Sequence, residues 1–186
     1  IKESRFKLFE ANPEEFITRA ANIINEQKAT AIVEEIKYDR ITETYDMNVF
    51  TEPKLKGSLE NTVPTPNKHI YSHVIADSSA KTEKNMANSL EYAEEVAVYA
   101  KLPRGFYIST PVGKYNPDWA IAFNKGSVKH IYFVAETKGN MENLELELRG
   151  VEKSKIACAR KHFAAISSDS VKYEVVETYE DLMKVV

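Results

Sequence analysis

Apolar and polar positions along the chain alternate with three different rhythms, and the rhythm marks the elements. Asn12-Pro13-Glu14-Glu15 reads as a helix start, with asparagine as N-cap, proline in the first turn and acids beside it. Phe16, Ala20, Ile23 and Ile24 follow it at helical spacing. Ile36-Lys-Tyr-Asp and Asn48-Val-Phe-Thr read as short strands that can form a hairpin. From Pro53 to Lys68, with Gly57, Pro64 and Pro66, the chain reads as loop. A second helix, capped by Ser78 or Ser79, is expected to run to about Tyr92. Val96 to Leu102 is a strand, Pro103-Arg-Gly a turn, and Ile108 to Tyr115 an extended stretch broken by Pro111 and Gly113. Trp119–Phe123 and Lys129–Thr137 are strands joined through Asn124-Lys-Gly-Ser. A third helix covers about Leu148 to Ile166, with Leu148, Val151, Ile156, Ala159, Phe163 and Ile166 on one stripe. A last strand, Val171–Glu177, and a short helix, Tyr179–Val186, close the chain.

The reading is therefore an α/β domain at 78–186, in the order helix, three strands, helix, strand. An N-terminal helix-plus-hairpin appendage precedes it at 1–77. At 186 residues, 43% apolar and 28% charged, the chain can bury a core. It has no apolar run long enough to span a membrane and no signal peptide, so no membrane role is expected. The chain opens on Ile1 in a charged stretch, which suggests a piece of a longer protein. Cys158, the only cysteine, lies in an apolar helical patch and reads as a core thiol rather than a nucleophile; a reducing cytoplasm suits it.

The net charge of −3 is unevenly spread. Residues 1–100 carry 12 basic and 17 acidic side chains, residues 101–165 carry 11 and 6, and residues 166–186 carry 2 and 5. The middle segment, at +5, suits a polyanion.

That segment also holds the chemistry. Pro117-Asp118 opens one strand, and Glu136-Thr137-Lys138 ends the next. If the two strands pair as a hairpin, Asp118 approaches Glu136 at one end. Two such carboxylates repel, and a Mg²⁺ resolves the conflict because it takes hard oxygen ligands and leaves room for water and phosphate oxygens. The Thr137 carbonyl is a further candidate ligand, and Lys138 a candidate to position water or phosphate. Glu83 shares a helical stripe with Met86, Ala87 and Leu90 and can add a third acid, whereas Glu91 reads as rotated off that stripe. Lys114, Tyr115 and Asn116, just before Pro117, are candidates to line a DNA path. Lys153, Lys155, Arg160 and Lys161 on the third helix are candidates to reach phosphates, although a solvated helix face is the more common explanation. His69 and His73 have i,i+4 spacing but no third ligand, so zinc is not expected. The acid–acid–lysine pattern is a short motif; a plain Glu136–Lys138 ion pair on a strand edge is its rival.

Longer blocks carry a resemblance. Tyr99-Ala-Lys-Leu-Pro-Arg-Gly-Phe-Tyr-Ile-Ser-Thr-Pro-Val-Gly-Lys-Tyr-Asn-Pro-Asp-Trp-Ala-Ile-Ala-Phe123, Tyr132-Phe-Val-Ala-Glu-Thr-Lys-Gly139, Leu148-Arg-Gly-Val-Glu152 and Lys155-Ile-Ala-Cys-Ala-Arg-Lys-His-Phe163 resemble the C-terminal nuclease region of type III restriction enzyme Res subunits. So do Asn12-Pro-Glu-Glu-Phe16 and Ile36-Lys-Tyr-Asp39. The resemblance implies a restriction-endonuclease-like core of the PD-(D/E)XK type, a central mixed sheet flanked by helices, with Asp118, Glu136 and Lys138 matching the motif. It implies Mg²⁺-dependent cleavage of double-stranded DNA, driven by an ATP-using motor absent from this chain and directed by a Mod methyltransferase subunit. A helicase-fused repair or recombination nuclease, and a DNA-docking module with a vestigial metal site, are the alternatives.

Overall fold

The computed structural model describes residues 9–42, 47–50, 58–76, 81–125, 129–137, 150–166 and 171–186; for Met47, Val49, Lys125 and residues 129–137 it describes the backbone only. The first long element is α1, Pro13–Glu35. The Asn12 side chain accepts the Glu15 N–H at 3.1 Å, so the expected cap and first-turn proline start the helix. After a 3₁₀ turn at Leu59–Asn61 come β1 (Thr62–Pro64) and β2 (His73–Ile75), an antiparallel pair. Then follow α2 (Lys81–Tyr92), β3 (Val96–Lys101), β4 (Trp119–Lys125), β5 (Lys129–Thr137), α3 (Gly150–Ile166), β6 (Val171–Val176) and α4 (Tyr179–Val185).

Strands β3 to β6 form one sheet in sequence order. β3, β4 and β5 are antiparallel neighbours, and β6 runs parallel to β5 after the α3 crossover, so the sheet is mixed. The outer edge of β3 is covered by residues 68–70: the Ile70 N–H donates to the Tyr99 carbonyl and the Tyr99 N–H to the Lys68 carbonyl, both at 3.1 Å.

Alternation along β4 divides the interior. Trp119, Ile121 and Phe123 join Met86, Ala87 and Leu90 of α2, Leu182 of α4, and Val63 and Val74 of the β1–β2 pair. On the other face Ala120 packs with Val175, Tyr115 and the α3 residues Ile156, Ala159 and Phe163. Helix α1 lies on α3, burying Ala29 and Val33. The result is a mixed sheet between α2 and α4 on one side and α3 on the other.

Three expectations change. Residues 36–41 carry no regular structure and Met47–Phe50 is one 3₁₀ turn, so no hairpin forms there among the described residues. The expected loop before Lys68 contains β1, whose three residues are too few for alternation to register and which ends on Pro64, a residue with no N–H to donate. Val63 and Val74 lie on the appendage side of the expected boundary near Asp77 yet sit in the same core as Trp119. Helix α1 also departs from its pattern. Its apolar stripe is exposed: Phe16, Ile23 and Ile24 are each about half accessible, while the face set about half a turn away holds the buried Ala29 and Val33. The Ser78 and Ser79 caps, the Gly126 and Ser127 turn positions and Leu148 lie outside the described residues. Among the described residues no helix is long and apolar enough to cross a membrane.

Candidate active site

The β4–β5 register sets the site. Trp119 pairs with Lys101 on one side and with Ala135 on the other. Asp118 and Glu136 are the next positions outward from the Trp119–Ala135 pair, at the same end of adjacent antiparallel strands. Two neighbours hold the backbone at Asp118. Trp119 is fully buried, and the Leu102 N–H donates to the Asp118 carbonyl at 2.8 Å, tying the end of β3 to the start of β4. The Asp118 side chain is half-buried. On the far side of β5, Glu136 pairs with Val175 and Thr137 with Val176. The side chains of Glu136 and Thr137, and all of Lys138, lie outside the described residues. Among the described residues no three His, Cys, Asp or Glu side chains form a metal cage.

Glu83 is at this end of the sheet and carries a partner that the pattern did not reveal. Its Oε2 is 2.6 Å from the Lys101 ammonium, which also lies 6.0 Å from the centre of the Trp119 ring. Both side chains are largely buried, at 12% and 17% exposure. Lys101 is the register partner of Trp119, so the Glu83–Lys101 pair belongs to the α2 side of the sheet.

The expected DNA-path residues divide. Tyr115 is a correction: it is a core ring, 5% exposed, edge-on to Tyr173 with the two hydroxyls hydrogen-bonded. The neighbouring Ile108 N–H and carbonyl bond Tyr115 in a two-way bridge, which turns the ring inward. Asn116 spends its amide nitrogen on the Arg104 and Phe106 carbonyls, at 2.9 and 2.7 Å, and so holds the turn before the site. Lys114 sits 3.8 Å over the Tyr107 ring. On α3, Lys153 is exposed and Lys155 half-buried. Arg160 is paired with Glu174 at 2.5 Å. Lys161 donates to the Glu34 carbonyl at 2.7 Å and to the Ile36 carbonyl, so it caps the C-terminus of α1. Cys158 is fully buried, and burial pushes its thiol pKa up, as expected of a core thiol.

Glu91 is the residue that sequence reasoning misses. Expected off the α2 stripe, it is instead four residues past Ala87 and buried beside Leu90, which corrects that expectation. Its carboxylate accepts the Asn67 N–H at 2.5 Å, the Lys68 N–H at 3.3 Å and the Tyr99 hydroxyl at 3.0 Å. Burial alone would raise its pKa; these donors outweigh it and hold the carboxyl below the usual range. The sequence does carry a signal, a helical acid at i+4 from a core alanine, but it needs a donor-rich loop opposite, and spacing does not show one.

His69 lies in the loop that Glu91 holds. Its Nε2 accepts the Lys101 N–H at 3.0 Å, and its Nδ1 lies 3.0 Å from the Tyr71 carbonyl. The Tyr71 N–H also lies 3.1 Å from Nδ1, so whether Nδ1 donates to the carbonyl or accepts from this N–H depends on the ring's tautomer. Burial lowers the pKa of His69, and burial also lowers that of His162 beside Tyr38 and Phe163. In the unfolded chain each takes up a proton more readily than in the fold. Their stability contribution is therefore full above the ordinary histidine pKa and is lost as pH falls through that value toward the folded one. Thermal midpoints recorded from neutral to mildly acid pH are expected to fall, and His69→Gln is expected to flatten part of that fall. An unchanged pH slope in the variant would remove His69 as its source.

One cleft adjoins the site. It has a volume of about 810 Å³ and is lined by Asn22, Asn25 and Glu26 of α1, by Lys114, Tyr115 and Asn116, and by Val151, Glu152 and Lys155 of α3. Asn116, on its lining, lies two positions before Asp118 in the chain.

Comparison with known proteins gives one match. The family described as an endonuclease domain matches residues 67–179, from the loop held by Glu91 to the start of α4 and across the Asp118 and Glu136 strands. No curated protein and no solved structure gives a significant match. With more than half of its length matched, the chain belongs to the endonuclease-domain family.

Proposed function

We propose that this chain is the Mg²⁺-dependent DNA-cleaving part of a type III restriction enzyme's Res subunit, with a restriction-endonuclease-like core at 78–186 and an N-terminal appendage at 1–77. It would work in the cytoplasm on double-stranded DNA, with a Mod methyltransferase subunit reading the sequence and an ATP-using motor elsewhere in the parent protein. The endonuclease-domain match supports the nuclease chemistry, and the long blocks from Tyr99 to Phe163 support the type III context.

The observation that carries the reading is the placement of Asp118 and Glu136 one step beyond the Trp119–Ala135 pair, on adjacent strands at one sheet end. The donor set suits a hard cation: two carboxylates, with the Thr137 carbonyl and Glu83 as further oxygen donors. Glu83 lies with Lys101 on the Trp119 face, so it would join only by giving up that partner and reaching round the strand end to the Asp118 position. Bound there, Mg²⁺ would lower the pKa of a water and stabilise charge on the phosphoryl oxygens. The chain's own groups do the remaining work. Trp119 and the Leu102–Asp118 hydrogen bond hold the Asp118 backbone rigid, so that its carboxylate can orient without reorganisation. Lys138, two residues past Glu136, is assigned to hold the attacking water or a phosphate oxygen. Lys114 and Lys155 would attract the polyanion toward Asp118.

Titration calorimetry of the chain with Mn²⁺ tests this reading. Heat of binding is expected for the native sequence and is expected to vanish in Glu136→Ala, while DNA cleavage by the parent enzyme stops in a chelator. Cleavage that persists in the chelator, with no metal-dependent heat, would overturn the proposal.

A further inference from the structure

Helix α1 lies outside the matched family region, yet it is built into the molecule beside the site. Three contacts fix it. Lys161 caps its C-terminus, Ala29 and Val33 are buried on the α3 side, and Glu26 packs on Gly150 so closely that a methyl group there would come 2.7 Å from the Glu26 Cγ. Just beyond α1, the Tyr38 hydroxyl donates to the Ser109 carbonyl at 3.1 Å and ties the chain to the extended stretch that carries Lys114. The outer wall of the 810 Å³ cleft is therefore a fixed surface.

What this wall presents is uneven. The side chains of Asn22 and Asn25 are exposed, line the cleft and make no hydrogen bond or ion pair among the described residues. Lys155 also makes none; it lies against the turn at Gly113, whose φ of +108° needs a glycine and where a Cβ would be 3.8 Å from the Lys155 Nζ. The two acids in the cleft already have a structural role. Glu26 packs on Gly150 and Glu152 is in the first turn of α3, so both face the positive N-terminal end of that helix. What remains for a ligand is two neutral amides that share the cleft with Lys114 and Lys155, and with Asn116 two positions before Asp118.

We propose that α1 is a wall of the nucleic-acid channel, in which Asn22 and Asn25 hydrogen-bond the sugar–phosphate backbone of the strand led to Asp118. This rests on the nuclease reading above and assigns the partner of a helix that reading leaves without one. Amide donors recognise phosphate oxygens without releasing counterions, and they carry no base information. The wall therefore adds affinity that depends weakly on salt and not at all on sequence.

Fluorescence anisotropy of the chain with a labelled duplex of random sequence, in a chelator to prevent cutting and over a range of salt, tests it. Asn22→Ala/Asn25→Ala is expected to weaken binding about tenfold with the salt slope unchanged. Asn22→Asp/Asn25→Asp is expected to weaken it further. Lys114→Gln/Lys155→Gln is expected to lower the slope by about 0.9 for each phosphate no longer neutralised. Gln27→Ala, on the outward stripe of α1, is expected to bind as the native chain. Circular dichroism checks that every variant is folded. Native affinity in both asparagine double variants, with the lysine variant weakened, would overturn the role of α1 and leave the nuclease reading standing. No binding by the native chain would overturn both.

Discussion

Asp118→Ala in the intact parent enzyme is expected to cut DNA at least about a thousandfold more slowly than the native protein, a transition-state loss of about 4 kcal/mol, while ATP turnover by the motor is unchanged. The size follows from where the residue sits. Asp118 directly precedes β4 and the fully buried Trp119, and its carbonyl is held by the Leu102 N–H, so the carboxylate is carried on fixed backbone. With Glu136 in the next register position, loss of one carboxylate removes half of the paired donors proposed for the cation. Asp118→Asn should fare nearly as badly, because the amide keeps the shape and loses the charge. Lys138→Ala should stop cleavage with metal binding retained, which separates its role from that of the acids. Native cleavage rates in Asp118→Ala would end the nuclease assignment of this site.

Glu91→Ala is expected to cost about 4 kcal/mol of folding stability, enough to unfold a typical domain under mild stress. The carboxylate is 1% exposed, and its removal strands the Asn67 and Lys68 N–H groups and the Tyr99 hydroxyl in the interior. Lys68 also donates to the Ala93 carbonyl just past α2, so the loop has a second tie and the damage should be local first. The sheet is affected next: residues 68–70 cover the edge of β3, and His69 receives the Lys101 N–H. Glu91→Gln should lose less, since it keeps an acceptor of the same shape. Acid should mimic the substitution, because a carboxyl with a lowered pKa stabilises the fold above its ordinary pKa and loses that contribution as pH falls through the folded value. Chemical denaturation of the three proteins at neutral pH measures the effect; a midpoint for Glu91→Ala equal to the native one would show that the loop is held by other contacts.

Much of the candidate site is legible in the sequence. Trp119–Phe123 and Ile131–Ala135 are apolar, strand-like runs on either side of Asn124-Lys-Gly-Ser, and the antiparallel pairing of the two strands is the hairpin that this pattern suggests. Placing Asp118 beside Glu136 needs only this pairing. Glu83, on the stripe with Met86 and Leu90, is legible as a half-buried acid, but its Lys101 partner comes from a strand eighteen residues away and depends on α2 docking across β3. Lys161 and Arg160 look alike on the α3 helix; one caps α1 and the other pairs with β6, which no spacing within α3 distinguishes.

The chain's own order of residues determined where elements start and stop, which β4 positions face inward, and which acids share a sheet end. Those properties depend on neighbours within a few residues, through caps, side-chain alternation and helical repeat. Tertiary packing alone decided that α1 lays its less apolar face on α3 and leaves Phe16, Ile23 and Ile24 in solvent. It also decided that Tyr115 turns into the core and that Glu91 is buried beneath a loop of donors. A periodic pattern specifies that a face exists, but the partner that covers it comes from distant chain, and the free energy of burial is settled only when the two meet.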